Sequence, residues 1–224
     1  MKLLLTAAGI RNPSIHAALL DLLGKPIAES SALCIPTASY AHPMAGPPRA
    51  WSFISGQEPR CPMTELGWKS VGVLELTALP SLDEAWVSWV RETDVLLVNG
   101  GDALYLGHWL RESGLADFLP SLVETVWVGF SAGSMVLTPR VGEDFVEWKP
   151  PTGGDSGLGV VDFSIFPHLD HPLCPENTMA AAETWAADVG GPAYAIDDET
   201  AIRVADGTVD VVYEGHWKLF TPQP

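Results

Sequence analysis

Residues 126–137 read VWVGFSAGSMVL, and Ser131 stands in them between two glycines, Gly129 and Gly133. The apolar run predicts a buried strand that breaks off at this corner and resumes as a helix. A Gly-x-Ser-x-Gly corner is where a serine hydroxyl projects from the end of a strand at a strained turn. Its small flanking residues let strand and helix pack closely. The amides that follow point outward, where they can hold an oxyanion. The same pentapeptide also fits an ordinary strand-to-helix turn with serine as the N-cap. Its chemistry therefore depends on partners elsewhere in the chain.

A second glycine turn, Asn99-Gly100-Gly101-Asp102, closes the preceding predicted strand. Adjacent glycines allow close approach of a ligand to the backbone and offer free N–H groups, so Gly100 and Asp102 are substrate-binding candidates. Glycine is also the default residue of a plain turn. Both corners fall at the carboxyl ends of consecutive strands, where open α/β sheets bind their ligands.

A serine hydroxyl needs a base to attack at neutral pH. Of six histidines, His16 and His108 fall within predicted helices, His42 in an irregular stretch and His216 near the terminus. His168 and His171, in FPHLDHP, follow a strand-like apolar run. His168 comes directly after Phe166-Pro167 and is the favoured base. A third group should hold the imidazole. Asp170, Glu143 or Asp144 in RVGEDF, and Asp197, Asp198 or Glu199 in AIDDETA all qualify, and spacing alone does not choose among them.

These residues need a scaffold, and the apolar pattern supplies one. KLLLTAAG, SALCIPTAS, SVGVLELTAL, TDVLLVNGG and TVWVGFS predict five strands. SIHAALLDLL, SLDEAWVSWVRE opened by Ser81, and ALYLGHWLRESG predict helices between them. Strands apolar throughout and alternating with helices indicate a mostly parallel sheet covered on both faces. Further on come GLGVVD and FSIFPHLDH, a helix from about Glu176 to Asp188, and a strand followed by a hairpin turning at Asp206-Gly207. Residues 41–70, rich in proline and glycine, break the rhythm and read as a lid-like or interface segment within one domain spanning 1–224.

Composition narrows the function classes. Twelve basic against 28 acidic residues leave a formal charge of −16, which repels phosphate backbones and argues against nucleic-acid binding. Three cysteines, Cys34, Cys61 and Cys174, have no paired spacing, which fits a reducing compartment. No metal-binding pattern stands out. The opening MKLLLTAAGI is too short for a signal core or a membrane span, so a cytoplasmic protein with no membrane partner is expected.

In combination, VNGGDALYLGHWLRESGL, VGFSAGSMVLTP, FPH and IDDETAIRV resemble peptidase family S51, the dipeptidase E and cyanophycinase group. The similarity runs in order from the first strand to about Val204. The resemblance implies a three-layer, flavodoxin-like sandwich of the class I glutamine amidotransferase kind, with serine where those proteins carry cysteine. It implies a Ser–His–acid triad without metal or organic cofactor. Ser131 falls on the family nucleophile, His168 on the family histidine and Asp198 on the family glutamate, with Asp144 as the alternative acid. Gly101 and Ala132 fall where backbone N–H groups form the oxyanion hole. The family arginine suited to an N-terminal aspartate is replaced by Met179. A thioether cannot pair with a carboxylate, which argues against strict Asp-X specificity. Arg49 and Arg60, in the 41–70 segment, are alternative carboxylate anchors. The expectation is a serine peptidase acting on small peptides, with a homodimer as the protein association in view. The rivals are an esterase-type hydrolase, whose acid precedes its histidine, and a catalytically silent binding module.

Overall fold

The computed structural model describes residues 1–58 and 61–221, so Arg60 lies outside the described residues. Among the described residues, ten strands form two sheets. They are β1 (Lys2–Thr6), β2 (Ser31–Ile35), β3 (Ser70–Val73), β4 (Val95–Val98), β5 (Val126–Phe130), β6 (Ser164–Phe166), β7 (Ala193–Ile196), β8 (Thr200–Ala205), β9 (Thr208–Tyr213) and β10 (Trp217–Phe220). The helices are α1 (Pro13–Leu23), α2 (Gly46–Ile54), α3 (Ala85–Arg91), α4 (Ala103–Glu112), α5 (Leu115–Phe118), α6 (Ala132–Met135) and α7 (Met179–Val189).

The large sheet runs β3-β2-β4-β5-β1-β8-β9. Its first five strands are parallel, and β8 and β9 close it as an antiparallel hairpin. Asp206 and Gly207 turn that hairpin with φ of 51° and 76°, the positive values a two-residue primed turn requires. The small sheet runs β10-β7-β6.

Alternation along the central strands divides the core. Leu3, Leu5, Leu96, Val98 and Trp127 face one side, against Leu104, Leu106 and Leu110 of α4 and Val90 of α3. Leu4, Val95, Leu97, Val126 and Val128 face the other, against Ile15, Leu19 and Leu22 of α1 and Phe53 of α2. The fold is thus α/β, with a mostly parallel sheet between helical layers. A third cluster, with Phe166, Leu169, Ala182 and Trp185, packs α7 on the small sheet.

Two local expectations change. The helix after Ser81 begins only at Ala85, because residues 79–81 form a 3₁₀ turn and the Ser81 hydroxyl bonds back to the Ala78 carbonyl at 2.7 Å instead of capping. SVGVLELTAL stops as a strand at Val73, beyond which the Glu75 carboxylate accepts hydrogen bonds from the Thr37, Tyr40 and Thr77 hydroxyls. In GLGVVD the Leu158, Gly159 and Val160 amides donate to the carbonyls of Val136, Thr138 and Leu137. These carbonyls have no helical partner because α6 lasts one turn before Pro139, which cannot continue a helix. The irregular 41–70 stretch contains α2, opened by Gly46-Pro47.

Candidate active site

Strands β4, β5 and β1 are adjacent at the middle of the large sheet, and their carboxyl ends build one corner. Ser131 follows β5 with φ 50° and ψ −110°, a region that side-chain-bearing residues rarely occupy. Thr6, at the end of β1, ties this corner down. Its carbonyl accepts the Ser131 amide at 3.0 Å and the Ser134 hydroxyl at 2.9 Å. Its own hydroxyl donates to the Gly129 carbonyl at 2.8 Å. The Trp127 indole donates to the Gly133 carbonyl at 2.8 Å.

The two glycines are required by contact. A Cβ on Gly133 would lie 2.3 Å from the Val98 carbonyl oxygen, and one on Gly129 2.5 Å from the Gly133 oxygen. Both obstacles are backbone and cannot swing aside. Gly133→Ala is therefore expected to destabilise the fold by about 3 kcal/mol, as other overpacked core positions do. A lowered midpoint in urea unfolding measures this, and an unchanged midpoint contradicts the stated packing.

His168 lies just beyond β6 and Asp198 in the turn between β7 and β8. His168 Nε2 is 3.0 Å from Ser131 Oγ, and His168 Nδ1 is 2.8 Å from Asp198 Oδ1. A carboxylate only accepts, so Nδ1 carries the proton and Nε2 is left as acceptor for the serine hydroxyl. Burial alone would raise the Asp198 pKa. The hydrogen bond from His168 and the fields of His168, His171 and Arg11 outweigh it and hold the carboxyl below its ordinary range. The group therefore stays ionised beside the imidazole.

The turn 99–102 packs against the same corner. Gly101 has φ 144°, and a Cβ there would fall 2.2 Å from the Ala38 carbonyl oxygen. Among the described residues, neither the Gly101 nor the Ala132 amide has a protein acceptor. Gly100 is buried under the Phe130 ring, which a Cβ would meet at 2.9 Å. Asp102 requires a correction. It is 1% exposed, and its two carboxylate oxygens accept the Tyr105 amide at 2.7 Å and the Trp148 amide at 2.6 Å. It caps α4 and pins the 148 loop, so it has no oxygen to offer a substrate.

The other acids go elsewhere. Asp144 is exposed in a 3₁₀ turn and makes no contact with His168. Asp170 pairs with His216 at 2.9 Å. Asp197 accepts from the Glu199 amide, the Thr200 hydroxyl and the His216 amide, and so shapes the turn that carries Asp198. Glu199 pairs with Arg11. Met179 packs onto the third hydrophobic cluster. Arg49, on α2, sits with its guanidinium carbon 6.0 Å from the centre of the Phe130 ring, whose own centre is 6.2 Å from that of His168. Sequence reasoning passed over Thr6, because a threonine ending a strand carries no distinctive pattern. Cys34 and Cys61 are buried and free, and burial pushes both thiols up to about 12, far from a reactive thiolate.

A parallel-sheet α/β protein with a serine, a histidine and an aspartate converging at the carboxyl ends of its central strands is the class this geometry defines. Comparison narrows it: the model of peptidase family S51 matches residues 3–212, and the chain belongs to that family. It is similar to Peptidase E of Nostoc sp., 26% identical over 132 residues that cover 55% of this chain and 54% of that protein. A 2-methyl-6-phytyl-1,4-hydroquinone methyltransferase of Synechocystis sp. is 27% identical over 133 residues, covering 59% of this chain and 41% of that protein. The chain thus spans about half the length of the curated relatives it matches. The crystal structure of a peptidase from an acI-B1 Actinobacterium superposes with a TM-score of 0.67 at 19% identity, covering 100% of this chain and 95% of that one, which shows a shared fold. Among the described residues no helix is long and apolar enough to cross a membrane.

Proposed function

We propose that this protein is a serine peptidase that hydrolyses short peptides, with Ser131 as nucleophile, His168 as base and Asp198 as the acid that orients it. The observation that carries the reading is the unbroken chain from Ser131 Oγ through both ring nitrogens of His168 to Asp198, at 3.0 and 2.8 Å. Membership of family S51 and similarity to the Nostoc Peptidase E support it.

In the reaction, His168 Nε2 takes the hydroxyl proton as Ser131 Oγ attacks the scissile carbonyl. The amides of Gly101 and Ala132 hold the resulting oxyanion. The tetrahedral species collapses, the C–N bond breaks, and His168 returns its proton to the departing amine. Water, activated by the same imidazole, then releases the acyl group from serine. Asp198 stays ionised throughout and stabilises the transient imidazolium. A screen of dipeptides against wild type tests this reading. Hydrolysis of a subset is the expected result, and a protein inert toward all of them and toward a fluorophosphonate probe contradicts it.

The substrate class we propose is short peptides bearing a carboxylate near the scissile bond. Its anchor is Arg49, the guanidinium stacked beside the residue preceding the nucleophile. Glu58 holds this guanidinium only loosely, at 3.7 Å, and Arg49 is 41% exposed. A substrate carboxylate there gains charge-assisted hydrogen bonds worth about 1.5–3 kcal/mol. Arg49→Ala is expected to raise KM for such peptides by roughly 10- to 100-fold, with kcat nearly unchanged, and to leave carboxamide analogues unaffected. Equal KM values for the two proteins remove Arg49 from recognition.

A further inference from the structure

The carboxylate of Asp198 is approached by two imidazoles. His168 Nδ1 faces Oδ1 at 2.8 Å, and His171 Nε2 faces Oδ2 at 3.4 Å. Both histidines come from one tight turn, closed by the His171 amide donating to the His168 carbonyl at 3.2 Å. His168 and Asp170 hold positive φ in it, 59° and 52°. Such values cost energy for residues other than glycine and persist only where the surroundings impose them.

The surroundings here are specific. The Leu169 amide donates to the Ile196 carbonyl at 3.0 Å, which docks the turn on the end of β7, just ahead of Asp198. The Asp170 amide donates to the Asn177 carbonyl at 2.7 Å, and the Asn177 side chain donates to the Pro167 carbonyl at 3.0 Å. His216 lies 2.9 Å from both Asp170 and Asp197, bridging the turn to the segment that carries Asp198.

The protonation state of His171 follows from its other nitrogen. The Leu173 backbone amide donates to His171 Nδ1 at 3.1 Å. An amide can only donate, so Nδ1 is bare and the ring proton of the neutral imidazole sits on Nε2, the nitrogen that lies 3.4 Å from Asp198 Oδ2, a contact longer than an ordinary hydrogen bond. The side chain is 26% exposed, against 14% for Asp198. The terminal torsion of an aspartate is soft, so a carboxylate held at one oxygen can rotate. A second N–H beside the opposite oxygen, even at 3.4 Å, favours one orientation of the carboxylate over the others.

We infer that His171 is a positioning residue: its neutral N–H, held beside Oδ2, biases Asp198 toward the rotamer that keeps Oδ1 on His168. This rests on the Ser131–His168–Asp198 reading above. His171 does its work through Asp198, and its contribution therefore appears in kcat.

The test compares His171→Phe, which keeps a ring and removes the donor, with His171→Gln, which restores an N–H at similar reach. Turnover is read with peptide, and Ser131 reactivity with a fluorophosphonate probe. Supporting residues of this kind are typically worth 10- to 100-fold by analogy with groups that orient metal ligands, and a loss of about 10-fold is expected for the Phe variant. KM should stay unchanged, Gln should recover most of the loss, and in an Asp198→Asn background the Phe substitution should change the labelling rate by less than about two-fold, since coupled residues are not additive. Full turnover in His171→Phe, a loss confined to KM, or losses that multiply in the Asp198→Asn background each overturn the inference. Should the Phe variant not fold, a Gln variant no more active than His171→Asn, whose amide is shorter and does not reach, overturns it equally. Wild-type protein without Ser131-dependent turnover or labelling defeats the proposed function, and this inference with it. Ser131-dependent activity undiminished in His171→Phe defeats this inference alone.

Discussion

Ser131→Ala is expected to keep the fold and to lose peptide turnover by roughly 10⁴-fold or more, the scale at which triad nucleophiles fail when removed. The magnitude follows from what the substitution takes away. The hydroxyl is the atom that forms the bond to the scissile carbonyl, and it is the group that His168 Nε2 meets, at 3.0 Å. The residual rate comes from oxyanion stabilisation and binding alone. Steady-state hydrolysis of the best dipeptide from the screen measures it, alongside fluorophosphonate labelling, which should vanish. Turnover within ten-fold of wild type ends the serine-peptidase reading.

The same position stores strain, and a second substitution reads it. At φ 50° and ψ −110° a Cβ is disfavoured, whether it belongs to serine or alanine. Glycine has no Cβ and accepts this conformation. Ser131→Gly is expected to be more stable than Ser131→Ala by about 1 kcal/mol, the relieved backbone strain less the extra entropy of an unfolded glycine. Both variants should be inactive. The pair separates backbone strain from chemistry, because the stabilities differ while the activities do not.

Asp198→Asn should cost roughly 10⁴ in kcat while binding stays near normal, as it does when an orienting aspartate elsewhere becomes an amide. The reason is the tautomer. An asparagine can present its N–H₂ to His168 Nδ1, which turns that nitrogen into an acceptor and moves the ring proton to Nε2. The imidazole then meets the serine hydroxyl with a proton where it needs a lone pair. Asp144→Asn, at an exposed turn distant in contact from His168, should leave kcat within about two-fold. A large loss at Asp144 with none at Asp198 would instead favour an esterase-like order, with the acid ahead of the histidine. The two variants assayed in parallel decide between these orders.

Much of the fold is legible in the residues alone. Apolar runs too short for helices, separated by segments of 3.6-residue period, leave few arrangements other than a parallel sheet with helices on both faces, and Leu3 to Leu5 or Val95 to Val98 divide their side chains between the two layers as such strands must. Ser131 is legible because close packing of strand and helix demands the flanking glycines, and glycines leave a pattern. What GLGVVD and SVGVLELTAL become is not legible, since each departs from its local preference to satisfy a partner remote in sequence: the bare carbonyls after α6 in one case, the Glu75 hydroxyl network in the other.

The acids mark the same boundary at the site. Asp102, beside two glycines at a strand end, has the sequence neighbourhood of a ligand contact, yet two amides consume its oxygens, one of them 46 residues away. Asp144, Asp170 and Asp198 are equivalent on spacing, and only the folded chain brings Asp198 alone against His168 while it sends Asp170 to His216. Local pattern determines which elements form and which corner can expose a hydroxyl, because propensity and periodicity act over a few residues. Which carboxylate meets which imidazole depends on how β6, β7 and the turn before β8 are docked on one another, and that docking comes from contacts between residues 20 to 50 apart, which no local pattern encodes.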